Sequence, residues 1–127
     1  MSRLLLDAQT VVWWDNDSPA LGKSARHTIR SAHSVYVSAA SEWELAIKAA
    51  LGKLTLRRTI LEAVLDAGFE PLAISFQHVQ AVQRLKPIHK DPFDRLLVAV
   101  ALTEELTLVS SDPILAQYPV RVIEARL

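Results

Sequence analysis

The chain has 127 residues, which suits one domain, and half of them are hydrophobic. Its 14 basic and 14 acidic side chains cancel, which argues against a protein that holds nucleic acid by bulk charge. The absence of cysteine excludes a disulfide framework and thiolate zinc sites. The longest purely apolar stretch, 96–102, is too short to span a bilayer, and the N-terminus does not resemble a signal peptide. We therefore expect one cytoplasmic domain, residues 1–127, without a membrane segment.

Short apolar segments alternate with longer helical patterns along the chain. Strands are predicted at Arg3–Leu6, Ser34–Ser38, Glu70–Ile74, Thr107–Val109 and Val120–Ile123. Helices are predicted at 8–15, 21–32, 40–51, 58–67, 75–84, 92–104 and 112–116. This alternation is typical of βα units, so it predicts an α/β fold with a mostly parallel sheet.

Three aspartates stand where strands end or helices begin. Asp7 and Asp112 each follow an apolar strand, and Asp94 lies in the first turn of the helix 92–104. In α/β folds, ligands gather at the carboxyl ends of the parallel strands, and the N-terminus of that helix faces the same edge. Clustered carboxylates repel one another unless a cation lies among them. Their oxygens suit Mg²⁺ or Mn²⁺, so the sequence predicts a divalent-metal site at this edge.

Helix geometry separates two glutamates, Glu42 and Glu44, in the predicted helix 40–51. At about 100° per residue this helix has one apolar face. The members of that face are Ala40, Trp43, Ile47 and Leu51. Glu44 lies roughly 55° from the centre of the face and Glu42 about 145° from it, so Glu44 is placed on the inner edge and Glu42 in solvent. An i,i+4 ion pair with Lys48 is the alternative role for Glu44.

Helix capping gives the aspartates a competing structural role. Asp91 and Asp112 are each followed by proline, as at the start of a helix. Asp91 is the better N-cap of the helix 92–104, whereas Asp94 lies on the face of that helix that carries its apolar residues. Asp94 is therefore the stronger metal ligand of the two. Capping remains open for Asp7 and Asp112, and it does not exclude ligation.

Basic side chains supply candidates for contacting a phosphate backbone. The stretches 45–61 and 71–90 contain lysine and arginine but no acid. The candidate substrate-binding residues are Lys48, Lys53, Arg95 and Ser110. Pairing with nearby acids, or an ordinary solvated face, is the alternative for the charged ones. His89 is a further candidate for touching phosphate, and the lack of a second histidine at ligand spacing argues against zinc.

These motifs resemble those of the PIN-domain family, and in particular the VapC-type toxins of bacterial toxin–antitoxin pairs. The resemblance is carried, in family order, by LLLD at 4–7, VSAASEWELAIK at 37–48, GKL at 52–54, HKDPFDRLL at 89–97 and LVSSD at 108–112. It implies a three-layer αβα fold with a central, mostly parallel five-stranded sheet. Ala8 and Gln9 depart from it, because relatives often carry threonine and histidine there.

The resemblance assigns catalysis and metal binding to Asp7, Glu44, Asp94 and Asp112, in agreement with the choice made from helix geometry. It implies a Mg²⁺- or Mn²⁺-dependent endoribonuclease that hydrolyses RNA by metal-activated water, a homodimer, and a cognate antitoxin that blocks the site. The rival interpretations are a catalytically weak PIN-fold interaction module and a Mg²⁺-binding regulatory domain such as a phospho-receiver. A receiver needs a late lysine at a strand end, and no lysine follows Lys90.

Overall fold

The computed structural model describes residues 2–127 and contains a five-stranded sheet in which all neighbouring strands are parallel. The strands are β1 (Arg3–Leu6), β2 (Ser34–Ser38), β3 (Glu70–Leu72), β4 (Thr107–Ser110) and β5 (Val122–Glu124), in the spatial order β3-β2-β1-β4-β5. The helices are α1 (Ala8–Asp15), α2 (Lys23–Ser31), α3 (Ala39–Ala50), α4 (Ile60–Asp66), α5 (Phe76–Gln83) and α6 (Pro92–Glu104). A 3₁₀ helix spans Pro113–Gln117. The predicted α/β class with a parallel sheet is confirmed.

The central strand β1 joins two hydrophobic cores, one on each face of the sheet. Leu4 and Leu6 pack in a core with residues of α1 to α4, and Leu5 packs in a second core with residues of α6. Successive side chains of a strand point to opposite faces, so a strand covered on both sides must be apolar throughout. This is the physical reason for the unbroken leucine run, and it produces the three layers that the resemblance implied.

The predicted element boundaries agree with the structure within two residues. The strand β3 ends at Leu72 and not at Ile74, because the chain then turns to place Ser75 as the N-cap of α5. The strand β5 begins at Val122 and not at Val120. The helix predicted over 112–116 is the short 3₁₀ helix, which is a common form for a single tight turn.

The predicted apolar face of α3 is wrong. Trp43 is 58% exposed and Leu51 is 64% exposed, and the buried residues of this helix are Ala40, Ser41 and Leu45. The buried side of α3 is therefore the one with Ser41 and Leu45, whereas Trp43 lies on the surface with its ring edge-on to Phe93, the centroids 4.9 Å apart.

The expectation that Glu42 points to solvent is also wrong. Its Oε1 accepts a hydrogen bond of 2.9 Å from the backbone N–H of Leu61, in the first turn of α4, and the side chain is half-buried. The first N–H groups of a helix have no partner within the helix, so an acid from a neighbouring helix satisfies one of them here. Glu42 is therefore a structural link between α3 and α4.

No helix within residues 2–127 combines the length and the apolar character that a membrane crossing requires.

Candidate functional site

An acidic pocket of about 250 Å³ opens at the carboxyl ends of β1 and β4. Its lining residues are Asp7, Ala8, Gln9, Glu44, Lys48, Asp94, Ser111, Asp112 and Arg126. The four predicted carboxylates thus border one cavity, although they come from four separate segments of the chain. A larger cavity of about 640 Å³ beside α5 has no carboxylate in its described lining.

Asp7 is fixed at the junction of β1 and α1. Its Oδ1 accepts a hydrogen bond of 2.8 Å from the backbone N–H of Thr10, which caps α1, and its own N–H donates to the carbonyl of Val109 at 3.1 Å. The buried Thr10 hydroxyl donates to the same Val109 carbonyl at 3.2 Å. Within residues 2–127, Oδ2 of Asp7 has no hydrogen-bonding partner. One carboxylate oxygen therefore holds the helix, and the other remains available to a ligand.

Asp91 and Asp94 divide the two roles that the sequence predicted for them. Asp91 is the N-cap of α6, since its Oδ1 accepts the N–H groups of Phe93 at 2.8 Å and Asp94 at 3.2 Å, and this prediction is confirmed. Asp94 lines the pocket. Burial and the neighbouring Asp91 raise the pKa of Asp94 to about 7 from its ordinary value of 3.8, with contributions from Glu44 and Asp112. A cation in the pocket would reverse this shift.

His89 bridges two of the carboxylates. Its Nε2 lies 2.9 Å from Oδ2 of Asp112 and 3.0 Å from Oδ2 of Asp94. The other ring nitrogen, Nδ1, accepts the backbone N–H of Asp91 at 3.1 Å. The ring proton must therefore be on Nε2, which donates to Asp112, while the carboxylate of Asp94 lies beside the same nitrogen. These three side chains present ligand atoms within 4.8 Å of one another. In this tautomer, however, the nitrogen that faces the carboxylates cannot bind a metal.

From the sequence, His89 was expected to touch phosphate, and its contacts with Asp94 and Asp112 were not predicted. The local signal is the spacing His89-Lys90-Asp91, in which the histidine can accept a hydrogen bond from the residue two positions later. That spacing fixes the ring beside the start of α6, where Asp94 lies.

Glu44 and Asp112 each combine a structural contact with a place in the pocket. Oε2 of Glu44 pairs with Nζ of Lys48 at 2.9 Å, so the alternative i,i+4 pair is present. The hydrogen bond to Glu44 raises the pKa of Lys48, and the charges of Asp91 and Asp94 add to the effect. Oδ1 of Asp112 accepts the backbone N–H of Ile114 at 2.9 Å, which caps the 3₁₀ helix, while Oδ2 faces His89.

The other predicted substrate residues are placed differently from Lys48, which lines the pocket. The guanidinium of Arg95 is engaged within the protein and does not line the cavity. Its partners include the carbonyls of Lys86 and Val82 and the hydroxyl of Tyr118. These contacts hold the loop before α6 and do not support a phosphate contact for Arg95, which stays a prediction. Lys53 lies in the exposed turn after α3, outside the lining. Ser110 is buried, and its Oγ accepts the N–H of Asp112 at 3.1 Å, which orients that turn.

The donor set fits a hard divalent cation. The four carboxylates supply oxygen ligands only, the set that Mg²⁺ or Mn²⁺ prefers. Burial first, and then the charges of neighbouring acids, raise the pKa of Asp94, and a single histidine lies beside Asp94 and Asp112. Asp7, Glu44, Asp94 and Asp112 are the residues that would hold the ion.

The chain matches the PIN domain family over residues 4–120 and belongs to that family. It is 29% identical over 119 residues to Ribonuclease VapC22 of Mycobacterium tuberculosis, which covers 88% of both chains. Its fold is similar to VapBC2 of Rickettsia felis bound to a promoter DNA fragment, with a TM-score of 0.72 and 15% identity over 95% of this chain and 97% of that chain. A toxin–antitoxin complex from Klebsiella pneumoniae gives a TM-score of 0.66 and 14% identity over 96% and 97%. The resemblance noted from the sequence motifs is confirmed.

Proposed function

We propose that this protein is a Mg²⁺- or Mn²⁺-dependent endoribonuclease and the toxin of a toxin–antitoxin pair, acting in the cytoplasm on RNA phosphodiester bonds. The observation that carries the proposal is the convergence of four carboxylates on one cavity in a PIN-domain chain. The similarity to Ribonuclease VapC22 supports RNA as the substrate class.

The roles of the acids follow from their contacts. Asp7 and Asp94 are the proposed direct metal ligands, because Asp7 keeps one oxygen available and Asp94 has the most strongly perturbed carboxyl of the pocket. Glu44 and Asp112 complete the site. A divalent cation held there would polarise the phosphodiester and activate a water molecule for attack on phosphorus. Lys48 is held at the pocket by Glu44, where its positive charge can face a phosphate.

A pair of glutamates on one helix gives a matched test. Glu44→Gln removes a carboxylate from the pocket, whereas Glu42→Gln keeps an acceptor for the N–H of Leu61 and lies outside the pocket lining. With Mg²⁺ or Mn²⁺ and a mixture of single-stranded and structured RNAs, Glu44→Gln should lower the cleavage rate about 10- to 100-fold. Glu42→Gln should cleave like the wild type.

Two other variants extend this test. Asp7→Asn and Asp94→Asn should also abolish most cleavage, and asparagine at position 7 retains an oxygen that caps α1. Equal cleavage by the wild type and all three pocket variants would rule out the assigned site. Absence of cleavage by the wild type on every RNA would favour the interaction module.

We also propose a cognate antitoxin and a second copy of the chain as partners. The named toxin–antitoxin complexes of similar fold support the first. Large apolar side chains on the surface, such as Trp43, Leu51 and the 87% exposed Phe76, are typical of residues that a partner covers.

Light scattering of the purified chain should give a dimer mass that Phe76→Glu reduces. Co-expression with the product of a short neighbouring reading frame should give a complex that does not cleave RNA. A monomer mass, or cleavage by the complex at the free rate, would contradict the respective partner.

A further inference from the structure

Arg126 lines the acidic pocket, although it lies near the C-terminal end of the described chain. It and Lys48 are the two basic residues in the lining. Lys48 is paired with Glu44, whereas the guanidinium of Arg126 makes no hydrogen bond or ion pair with any residue in 2–127. The lining therefore includes one arginine whose side chain is not committed to a partner within residues 2–127.

The backbone on both sides of Arg126 is fixed to the rest of the fold. The buried Ala125 accepts a hydrogen bond from the N–H of Gly22 at 2.9 Å and donates to the carbonyl of Ser110 at 3.1 Å. The carbonyl of Leu127 accepts the N–H of Ser24 at 2.7 Å. Arg126 therefore starts from an anchored position on the rim of the pocket, and only its side chain is free to move.

Gly22 makes this anchoring possible. A Cβ at position 22 would overlap the backbone of Arg126 and Leu127, so no other residue type allows the two segments to lie this close. Gly22 is also the N-cap of α2 and provides no capping side chain, although Ser, Thr, Asp or Asn would stabilise that helix more. The N-terminus of α2 therefore lacks a side-chain cap at the position where Gly22 lets the C-terminal segment pass close by.

An RNA strand that enters this pocket needs positive charge as well as a metal. The four carboxylates repel phosphate, and the ion pair with Glu44 already compensates part of the charge of Lys48. A guanidinium presents donors in a fork that matches the oxygens of a phosphate group. We propose that Arg126 binds a backbone phosphate of the RNA at the mouth of the pocket and so positions the strand across the acids. This inference rests on the proposed ribonuclease function.

The test uses RNA binding rather than cleavage. A fluorescein-labelled single-stranded RNA of mixed sequence is titrated with protein at several salt concentrations, in Ca²⁺ instead of Mg²⁺ and with the RNA checked by gel. Arg126→Ala should weaken binding about 5- to 10-fold and lower the slope of log K against log salt by about 0.7, as expected for one lost phosphate contact. Arg126→Lys should restore part of the affinity.

The matched control is Arg121→Ala. Arg121 is exposed and lines a cavity that includes Ser2 and Arg3, at the amino end of β1, away from the acidic pocket. This variant should bind RNA like the wild type.

Arg126→Ala should not weaken Mn²⁺ binding, because removal of a positive charge does not disfavour a cation. Equal RNA binding by the Arg126 and Arg121 variants, while the wild type binds, would overturn this inference alone. No RNA binding by the wild type would overturn it together with the proposed function.

Gly22→Ala tests the positioning separately. The added methyl group must displace the segment 125–127, so RNA affinity should fall about as far as in Arg126→Ala, with Mn²⁺ binding retained. Wild-type RNA affinity in Gly22→Ala would show that the anchored segment does not position the arginine.

Discussion

A histidine contacts a carboxylate at each end of α6, but the two ends differ in charge. At the C-terminal end, Nε2 of His78 lies 2.7 Å from Oε2 of Glu104. At the N-terminal end, Nε2 of His89 donates to Asp112 and lies 3.0 Å from Oδ2 of Asp94. His78 contacts one acid, whereas His89 has two acids beside the same ring nitrogen.

The tautomer is the same at both ends, because each ring accepts a backbone N–H at Nδ1. The donors are Ser75 for His78 and Asp91 for His89, both at 3.1 Å. What separates the two contacts is therefore the local balance of charge. The His78 ring is buried and its donor meets a single half-buried acid, so this contact serves the fold. The His89 contact leaves negative charge uncompensated beside a cavity, and this excess, rather than the histidine–carboxylate pairing, distinguishes the candidate site.

The largest expected effect is the destabilisation by His78→Ala. His78 is 1% exposed, and its ring both packs in the interior and completes the capping box of α5. Its loss should lower the free energy of unfolding by about 3 kcal/mol in urea denaturation. His78→Gln should cost less, because glutamine is a usual partner in a capping box. His89→Ala should cost only about 1 kcal/mol, since that ring is nearer to solvent. If the two alanine variants were equally destabilised, both ends of α6 would be structural.

A smaller effect of opposite sign is expected for Asp94→Asn in the absence of metal. The pKa of Asp94 is about 7 in the folded protein and ordinarily 3.8. Between these pH values the unfolded chain has released the proton that the folded protein keeps, so the wild type loses stability as pH rises from 3.8 to about 7. Asparagine stays neutral and avoids this loss. It should stabilise the protein at pH 8 by about 1 kcal/mol after solvent screening, and hardly at pH 4.

Thermal unfolding in EDTA at pH 4 and pH 8 measures this difference. Glu70→Gln is the control, since Glu70 is an exposed acid that forms no ion pair within residues 2–127. Added Mg²⁺ should raise the melting temperature of the wild type and have little effect on Asp94→Asn. A destabilised Asp94→Asn at pH 8 would show that the carboxylate is compensated by the protein itself, and the contrast between the two ends of α6 would disappear.

The sequence predicts those parts of the site that local signals determine. The apolar run before Asp7 and the Asp91-Pro92 start of α6 gave the bounds of β1, α1 and α6, and the topology then brought Asp7, Asp94 and Asp112 to one edge. These features depend on strand burial and helix capping, which neighbouring residues control.

Long-range packing explains what the sequence did not predict. Both sides of α3 carry apolar residues, and packing against the rest of the fold buries the side with Ser41 and Leu45, so Trp43 remains outside. Glu44 lies beside both the predicted apolar face and the side that is buried in the structure, so it reaches the pocket although the predicted face was wrong. The approach of Arg126 to Gly22 joins segments that are distant in sequence, and no periodic pattern of residues predicts such a contact.

The smallest expected effect is spectroscopic and tests the comparison between the two ends of α6 most directly. Long-range ¹H–¹⁵N spectra should show His78 and His89 with the proton fixed on Nε2, whereas the exposed His27 and His33 provide averaged references. Mg²⁺ should shift the ring signals of His89, which contacts two proposed ligands, and leave those of His78 unchanged. Loss of the Nε2 proton of His89 on adding Mg²⁺ would make the ring a ligand, at the expense of its hydrogen bond from Asp91. Unshifted signals would place the cation away from Asp94 and Asp112, so the excess charge at this end of α6 would need another explanation.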